Sequence, residues 1–265
     1  MSLTTATGPF SARRRGAFNS RIEGPAHLLY FESYERRMRA VKDGETVIDT
    51  IGGMLLYESN IHPVLYVPEQ DLRQDLLTPS DHTSHCPFKG DASYWNVGSA
   101  ENAIWTYPEP IESAAFLHGY MAPYWHLMDA WFEEDERLEI GFRDPYHRID
   151  MRESSARVTV RANGEVVAES ERPLLLFETG LPVRAYLRPD EVHADLVPSE
   201  KTTVCPYKGT ASYWSIGELE DVVWSYRTPI PEAAAIEGRV SFLGEGIDVE
   251  IDYAASTSAL ISRAA

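Results

Sequence analysis

Two cysteines in 265 residues are too few to staple a domain, and with one in each half, Cys86 and Cys205, neither half can close its own disulfide. That count suits a reducing cytoplasm, which is the expected compartment. No run of about 18 apolar residues is present, so no membrane-spanning helix and no membrane partner are expected. Cations are also scarce: 24 Lys and Arg against 41 Asp and Glu give a formal net charge of -17. A nucleic-acid binder needs a surplus of basic side chains to neutralise phosphates, so nucleic acid is not an expected partner. The opening MSLTTATGPFSARRRGAFNS has three arginines but no apolar stretch after them, and reads as a polar arm rather than a secretory signal. The sequence does have a hydrophobic fraction of 43% and an aromatic fraction of 11%, as a soluble globular protein does. The length corresponds to about two domains.

One line of the sequence is written twice. CPFKGDASYW spans residues 86 to 95 and CPYKGTASYW spans 205 to 214, with eight of ten positions identical. A match carrying cysteine, lysine, glycine and tryptophan marks an internal duplication. The halves align outward from it: Gly44 faces Gly164, MLLYES (54 to 59) faces LLLFET (174 to 179), Trp105 faces Trp224, and Gly119 faces Gly238. The spacing changes by one residue between Leu76/Leu196 and Pro79/Pro198, which makes Thr78 a loop insertion in the first copy. The expected order is an N-terminal arm and lead-in over 1–34, a first β-rich repeat over 35–130, an acidic linker over 131–155, a second repeat over 156–253 and a tail over 254–265. Glu133, Glu134, Asp135 and Glu136 in the linker read as a solvated face, with a metal site or an ion-paired contact to RDPYHR as alternatives.

The expected fold class is all-β or β-rich, two similar small domains packed about a pseudo-twofold axis. RVTVRANGEVVAES holds two alternating runs separated by Asn163-Gly164, a type I′ hairpin signal, and Asp43-Gly44 stands at the same place in the first copy. The duplicated line places β-favouring residues on both sides of a Lys-Gly turn, so a second hairpin carries the motif. DLRQDLLTPSD is expected to form one helical turn or a short helix.

Several side chains in this motif can carry chemistry. Cys86 and Cys205 precede Lys89 and Lys208 by three residues, close enough for an ammonium to stabilise a thiolate, although a free cysteine is equally at home as a small buried hydrophobe. Lys89-Gly90 and Lys208-Gly209 suit an anion, since glycine admits close backbone approach and lysine supplies a point charge. They are not a Walker loop, because the glycines that would precede the lysine are missing. The alternative is an exposed lysine at a hairpin tip beside a glycine needed for positive φ. Tyr94, Trp95 and Trp105, like Tyr213, Trp214 and Trp224, either wall a pocket with the lysine at its mouth or belong to ordinary core. Zinc is not expected, because His82 and His85 beside Cys86 are replaced by Lys201 and Val204 in the second copy.

The C-P-[FY]-K-G-x-A-S-Y-W line, the downstream W-[ST]-Y, and the strings DAWFEEDE, RDPYHRID and LLLFETGLPVRAYLRPDEV together resemble the tandem form of the "domain of unknown function 427" family over roughly residues 35 to 253. The resemblance implies a tent-like β fold, similar in topology to type B methionine sulfoxide reductases and to the ligand-binding domain of cereblon. It also brings a nucleotidyltransferase-like label, but no pair of carboxylates flanks either Lys-Gly turn to hold a divalent metal. A sulfoxide reductase would need a resolving thiol or an external reductant, and each domain has one cysteine. The first copy departs from the pattern at its end, where GYMAPYWHLMDAWF stands in place of the GRVSF at 238 to 242.

These observations lead to a cytoplasmic protein binding a small, possibly anionic ligand near the Lys-Gly hairpins, using Lys89, Gly90, Tyr94, Trp95 and Glu58 in one copy and Lys208, Gly209, Tyr213, Trp214, Glu178 and Arg184 in the other. No cofactor or metal is called for, and the oligomeric state stays open. An enzyme is the alternative, through Cys86 or Cys205, or through His147 with Asp144 and Asp150 as acid, base or metal ligands. A protein-interaction module presenting the acidic linker to a basic partner is the third reading.

Overall fold

Asp43 and Gly44 have φ of 50° and 82°, and Asn163 and Gly164 have 49° and 88°, so both hairpin turns adopt the positive-φ pair of a type I′ turn. The computed structural model describes residues 3–19 and 27–254. It divides into two units, Met1–Tyr146 and His147–Ala265. Among the described residues no helix is long and apolar enough to cross a membrane.

Unit one contains β1 (Leu29–Ser33), β2 (Met38–Lys42), β3 (Glu45–Thr50), β4 (Met54–Glu58), β5 (Ile61–Pro68), β6 (Leu77–Cys86), β7 (Gly90–Val97), β8 (Ala100–Thr106), β9 (Tyr120–Pro123), β10 (Ala130–Glu133) and β11 (Glu136–Leu138). Its seven-stranded sheet runs β1-β4-β5-β9-β8-β7-β6, and a four-stranded sheet runs β11-β10-β2-β3. Unit two contains β12 (Ile149–Glu153), β13 (Arg157–Ala162), β14 (Glu165–Ser170), β15 (Leu174–Glu178), β16 (Arg184–Tyr186), β17 (Val197–Cys205), β18 (Gly209–Ile216), β19 (Leu219–Tyr226), β20 (Val240–Phe242) and β21 (Ile247–Asp252). Here β12-β15-β16 and β17-β18-β19-β20 are joined by a single bridge, Leu187 to Val240, which restores the strand order of the first unit's larger sheet. The sheet β14-β13-β21 matches β3-β2-β10.

Period-2 alternation gives the larger sheet two buried faces in each unit. In β4, Leu55 and Tyr57 join Met38, Ile48 and Ile104 in the core between the sheets, while Leu56 turns to the opposite face with Tyr66, Tyr94 and Tyr107. A 3-10 helix over Glu112–Leu117 covers that second face with Ala114 and Leu117. In unit two, Leu175 joins the inter-sheet core, whereas Leu174, Leu176, Tyr186 and Tyr226 sit on the second face beneath a 3-10 helix over Pro231–Ile236.

Several boundaries differ from those expected. β1 lies within the lead-in and pairs with β4, and β12 lies within the linker and pairs with β15, so each repeat starts earlier than 35 or 156. The linker's acidic run is the β10–β11 hairpin, which turns at Glu134 with φ of 52°. Its charges pair with arginines of the first unit: Arg36 pairs with Glu133, and Arg39 reaches Asp135 at 3.3 Å. The N-terminal arm is partly buried, at Thr4, Thr5 and Ser11. Of the expected tail, residues 255–265 lie outside the described residues. The segment after Pro68 makes two separate 3-10 turns, Glu69–Asp71 and Gln74–Leu76, and β6 begins at Leu77. β6 has ten residues where β17 has nine, so the first copy's extra residue is absorbed at the strand's start, and the pairings Pro79–Trp95 and Pro198–Trp214 coincide.

Candidate functional site

The Cys-Pro-x-Lys-Gly turns are held from both sides. Lys89 N donates to the carbonyl of Cys86 at 3.1 Å and its own carbonyl accepts from Ile111 N at 3.0 Å; the matching distances for Lys208, with Cys205 and Ile230, are both 3.2 Å. Gly90 and Gly209 have φ of 110° and 104°, and a Cβ there would lie 3.2 Å from the Glu109 carbonyl oxygen or 3.3 Å from that of Thr228. Glycine is required at both places by φ and by the adjoining backbone.

Pinned in this way, each lysine turns inward. Lys89 Nζ donates to Glu58 Oε2 at 2.5 Å, and Lys208 Nζ to Glu178 Oε2 at 2.6 Å. Each glutamate is the last residue of a strand whose alternate side chains, Leu56 or Leu174 and Leu176, face the second core, so the carboxylate shares that face. The other oxygen meets a histidine: His27 Nε2 lies 2.7 Å from Glu58 Oε1, and His147 Nε2 lies 3.0 Å from Glu178 Oε1. Each imidazole rests on the aromatic residue just before the lysine, His27 on Phe88 at 3.8 Å and His147 on Tyr207 at 3.9 Å between ring centroids. The side chains of Lys208, Glu178 and His147 are 10%, 9% and 2% exposed, so these groups are withdrawn from water.

Phenols complete the arrangement. Burial pushes Tyr66 and Tyr107 in unit one, and Tyr186 and Tyr226 in unit two, well above the ordinary tyrosine value, and the neighbouring acidic groups add to it. They therefore stay protonated at neutral pH as hydroxyls. Lys89 Nζ lies 5.7 Å from the centre of the Tyr107 ring, and Trp224 Nε1 donates to the Tyr186 hydroxyl at 3.3 Å. Cys86 and Cys205 are free, half-buried and packed against these second-face clusters.

The fold thus gathers Lys89, Gly90, Glu58 and Cys86 into one cluster, and Lys208, Gly209, Glu178, Cys205 and His147 into another. Tyr94 and Tyr213 border them on the same face, bonded to Ser84 at 2.7 Å and to Thr203 at 2.8 Å. Trp95 and Trp214 do not join them: adjacent strand residues point to opposite faces, and these indoles pack on the inter-sheet cores. Trp105 and Trp224 do belong to the second face. The lysines are not exposed at a hairpin tip, since each is folded against its glutamate. Asp144 accepts from the Tyr57 hydroxyl at 3.1 Å, and Asp150 is held by Arg148 and Arg152, at 2.7 and 2.5 Å. Among the described residues no group of three or more His, Cys, Asp or Glu side chains is placed to hold a metal ion. His27, Tyr66, Tyr107, Tyr186 and Tyr226 join the site without having been singled out from the sequence. Both tyrosine pairs recur between the copies, and that repetition is the signal that would have found them.

Burial alone would raise the Glu178 carboxyl. The hydrogen bond from His147 and the charge and hydrogen bond of Lys208 outweigh it and hold the group below its ordinary value of 4.5. Since the folded value lies below the unfolded one, the stabilisation is fully present above about 4.5 and is lost as pH falls through the lowered folded value. Urea midpoints of unit two should therefore decline in acid, and Glu178→Gln should flatten that decline. An unchanged slope in the variant would remove Glu178 as the source.

Among curated proteins, none matches this sequence significantly. The family described as a domain of unknown function (DUF427) matches residues 30–134 and again residues 150–253. Both matches begin just after the site histidine, so neither His27 nor His147 is within them. With two copies covering most of its length, the chain belongs to the domain of unknown function 427 family as a tandem, β-rich member.

Proposed function

We propose that each unit binds a small, oxygen-rich anion, a carboxylate or phosphate, at its His–Glu–Lys cluster. The observation that carries this reading is the recurrence of the cluster in both units with the same atom pairing, Nε2 to Oε1 and Nζ to Oε2. Apolar residues of similar volume often stabilise a core as well as a buried ion pair does, so packing alone gives no reason to keep three ionisable groups twice. An ammonium has three donors and the glutamate engages one, which leaves donors for a ligand oxygen. The protonated phenols beside it supply further hydroxyls. The free cysteines fit a reducing cytoplasm as the setting, and the net charge of -17 favours a small ligand over nucleic acid.

The second site should be the tighter one. Arg184 stands two residues before Tyr186 on β16, on the same face, and its charge reaches that phenol. Among the described residues it has no carboxylate partner, and the first copy has Val64 in its place. A guanidinium can grip an oxyanion through two charge-assisted hydrogen bonds.

A thermal-shift screen of nucleotides, sugar phosphates and carboxylic metabolites tests both points. A ligand at a hundred times its Kd adds about 2.7 kcal/mol of stability. Lys89→Arg with Lys208→Arg keeps the charge and should retain part of the shift, whereas Lys→Met at both sites should abolish it. Arg184→Val should weaken the tighter site by about 1.5 to 3 kcal/mol in calorimetric titration. No shift with any anion would defeat the proposal, and equal affinity at the two sites would defeat the role of Arg184.

A further inference from the structure

The N-terminal arm has no counterpart in the second repeat, and it forms one wall of a half-open cavity of about 670 Å³ against the start of β1 and the turn after β4. The arm is anchored beside it: the buried Thr4 hydroxyl donates to the Glu58 carbonyl at 3.0 Å, and the Thr4 carbonyl accepts from Asn60 N at 3.3 Å. Four large aromatic side chains on the wall are left partly open, Phe10 at 43%, Phe18 at 42%, Tyr30 at 39% and Tyr146 at 42%. Phe10 and Phe18 stack with ring centres 6.4 Å apart. The Tyr30 and Tyr146 hydroxyls are both committed to Glu32, at 2.7 and 2.9 Å, so these residues present their rings to the cavity rather than spare polar groups.

Among the described residues, two polar side chains on the wall have no hydrogen-bonded or ion-pair partner. Arg14 lies over the Phe18 ring at 5.7 Å and has no carboxylate partner among the described residues. Asn60 is held through its backbone N–H, and its side-chain amide has no hydrogen-bond partner among the described residues. Ligand sites of ~300–1,000 Å³ are commonly apolar with a few polar groups on the wall, and a guanidinium and an amide both supply donors suited to a carboxylate.

We infer that this cavity is a second binding site, present only in unit one, for a small aromatic carboxylic acid. The aromatic body lies among the four rings, and the carboxylate is held by Arg14 and Asn60. This site adjoins the first unit's His–Glu–Lys cluster through the Thr4 bond to the Glu58 carbonyl, but none of that cluster's three side chains lines it.

Calorimetric titration of the full chain with naphthoate, and with naphthylmethanol as its uncharged counterpart, tests the assignment. Naphthoate should bind at one site per chain and more tightly than the alcohol. Arg14→Met should weaken naphthoate about tenfold, the loss of one charge-assisted contact, while leaving the alcohol unchanged. Phe18→Ala should weaken both. Failure of naphthoate to saturate below about 1 mM overturns the proposal. So does naphthoate affinity that is insensitive to Arg14, or a second copy of the chain covering the cavity, seen as a dimer in sedimentation that Phe10→Ala with Phe18→Ala dissociates.

Discussion

Replacing Lys208 by methionine is expected to destabilise unit two by about 3 to 5 kcal/mol, the usual effect of removing one partner from a buried ion pair. The single variant leaves the Glu178 carboxylate, 9% exposed, without the ammonium that balances its desolvation. His147 still reaches its other oxygen, which points to the lower end of that range. Glu178→Leu combined with Lys208→Met should recover at least half of the loss, because it removes both buried charges together. Urea unfolding, with hydrogen exchange across β15 and β18 to localise the effect, separates the two cases. For contrast, the Arg37–Asp49 pair is just as short at 2.6 Å but has side chains 42% and 44% exposed, and Arg37→Ala should leave the urea midpoint almost unchanged. A Lys208→Met loss as small as that would mean that water reaches the ammonium, and the account of a withdrawn charge cluster would fail.

The difference between these pairs bears on what can be read from sequence. Glu58, Glu178, Lys89 and Lys208 all stand out in the repeated strings, and the type I′ hairpins and β-rich class follow from turn chemistry and alternation. That each lysine meets its glutamate does not follow, because the contact depends on the turn being tied to the segment before the 3-10 helix, a tertiary arrangement without a local signature. His27 escapes for another reason. HLLYFES and HRIDMRE share one identical residue, so the alignment fades where the repeats begin, although both segments form the same edge strand. Grouping Trp95 with Tyr94 overlooks the two-residue period that sends neighbours to opposite faces. The acidic run looks like a linker because its charges pair with Arg36 and Arg39, far away in sequence but adjacent in the sheet.

The site's geometry depends most directly on the glycine after each lysine, and Gly209→Ala should cost unit two about 2 to 3 kcal/mol. Two causes add. A φ of +104° lies beyond the left-handed helical region that other residues occasionally visit, and the new Cβ would lie 3.3 Å from the Thr228 carbonyl oxygen and 3.5 Å from both Ile230 N and Pro229 Cα. These are backbone atoms, so the strain cannot be relieved by a rotamer change. Gly164→Ala separates the causes, since Gly164 has φ of +88° but nothing within 4 Å of the added Cβ, and it should cost about 1 kcal/mol from backbone strain alone. If the excess at Gly209 comes from the turn being pushed off its neighbour, the Ile230 N–H to Lys208 carbonyl bond should weaken with it, and the amide of Ile230 should lose exchange protection in Gly209→Ala. Equal losses in the two variants, with Ile230 still protected, would mean that close packing of the turn plays no part in aiming Lys208 at Glu178.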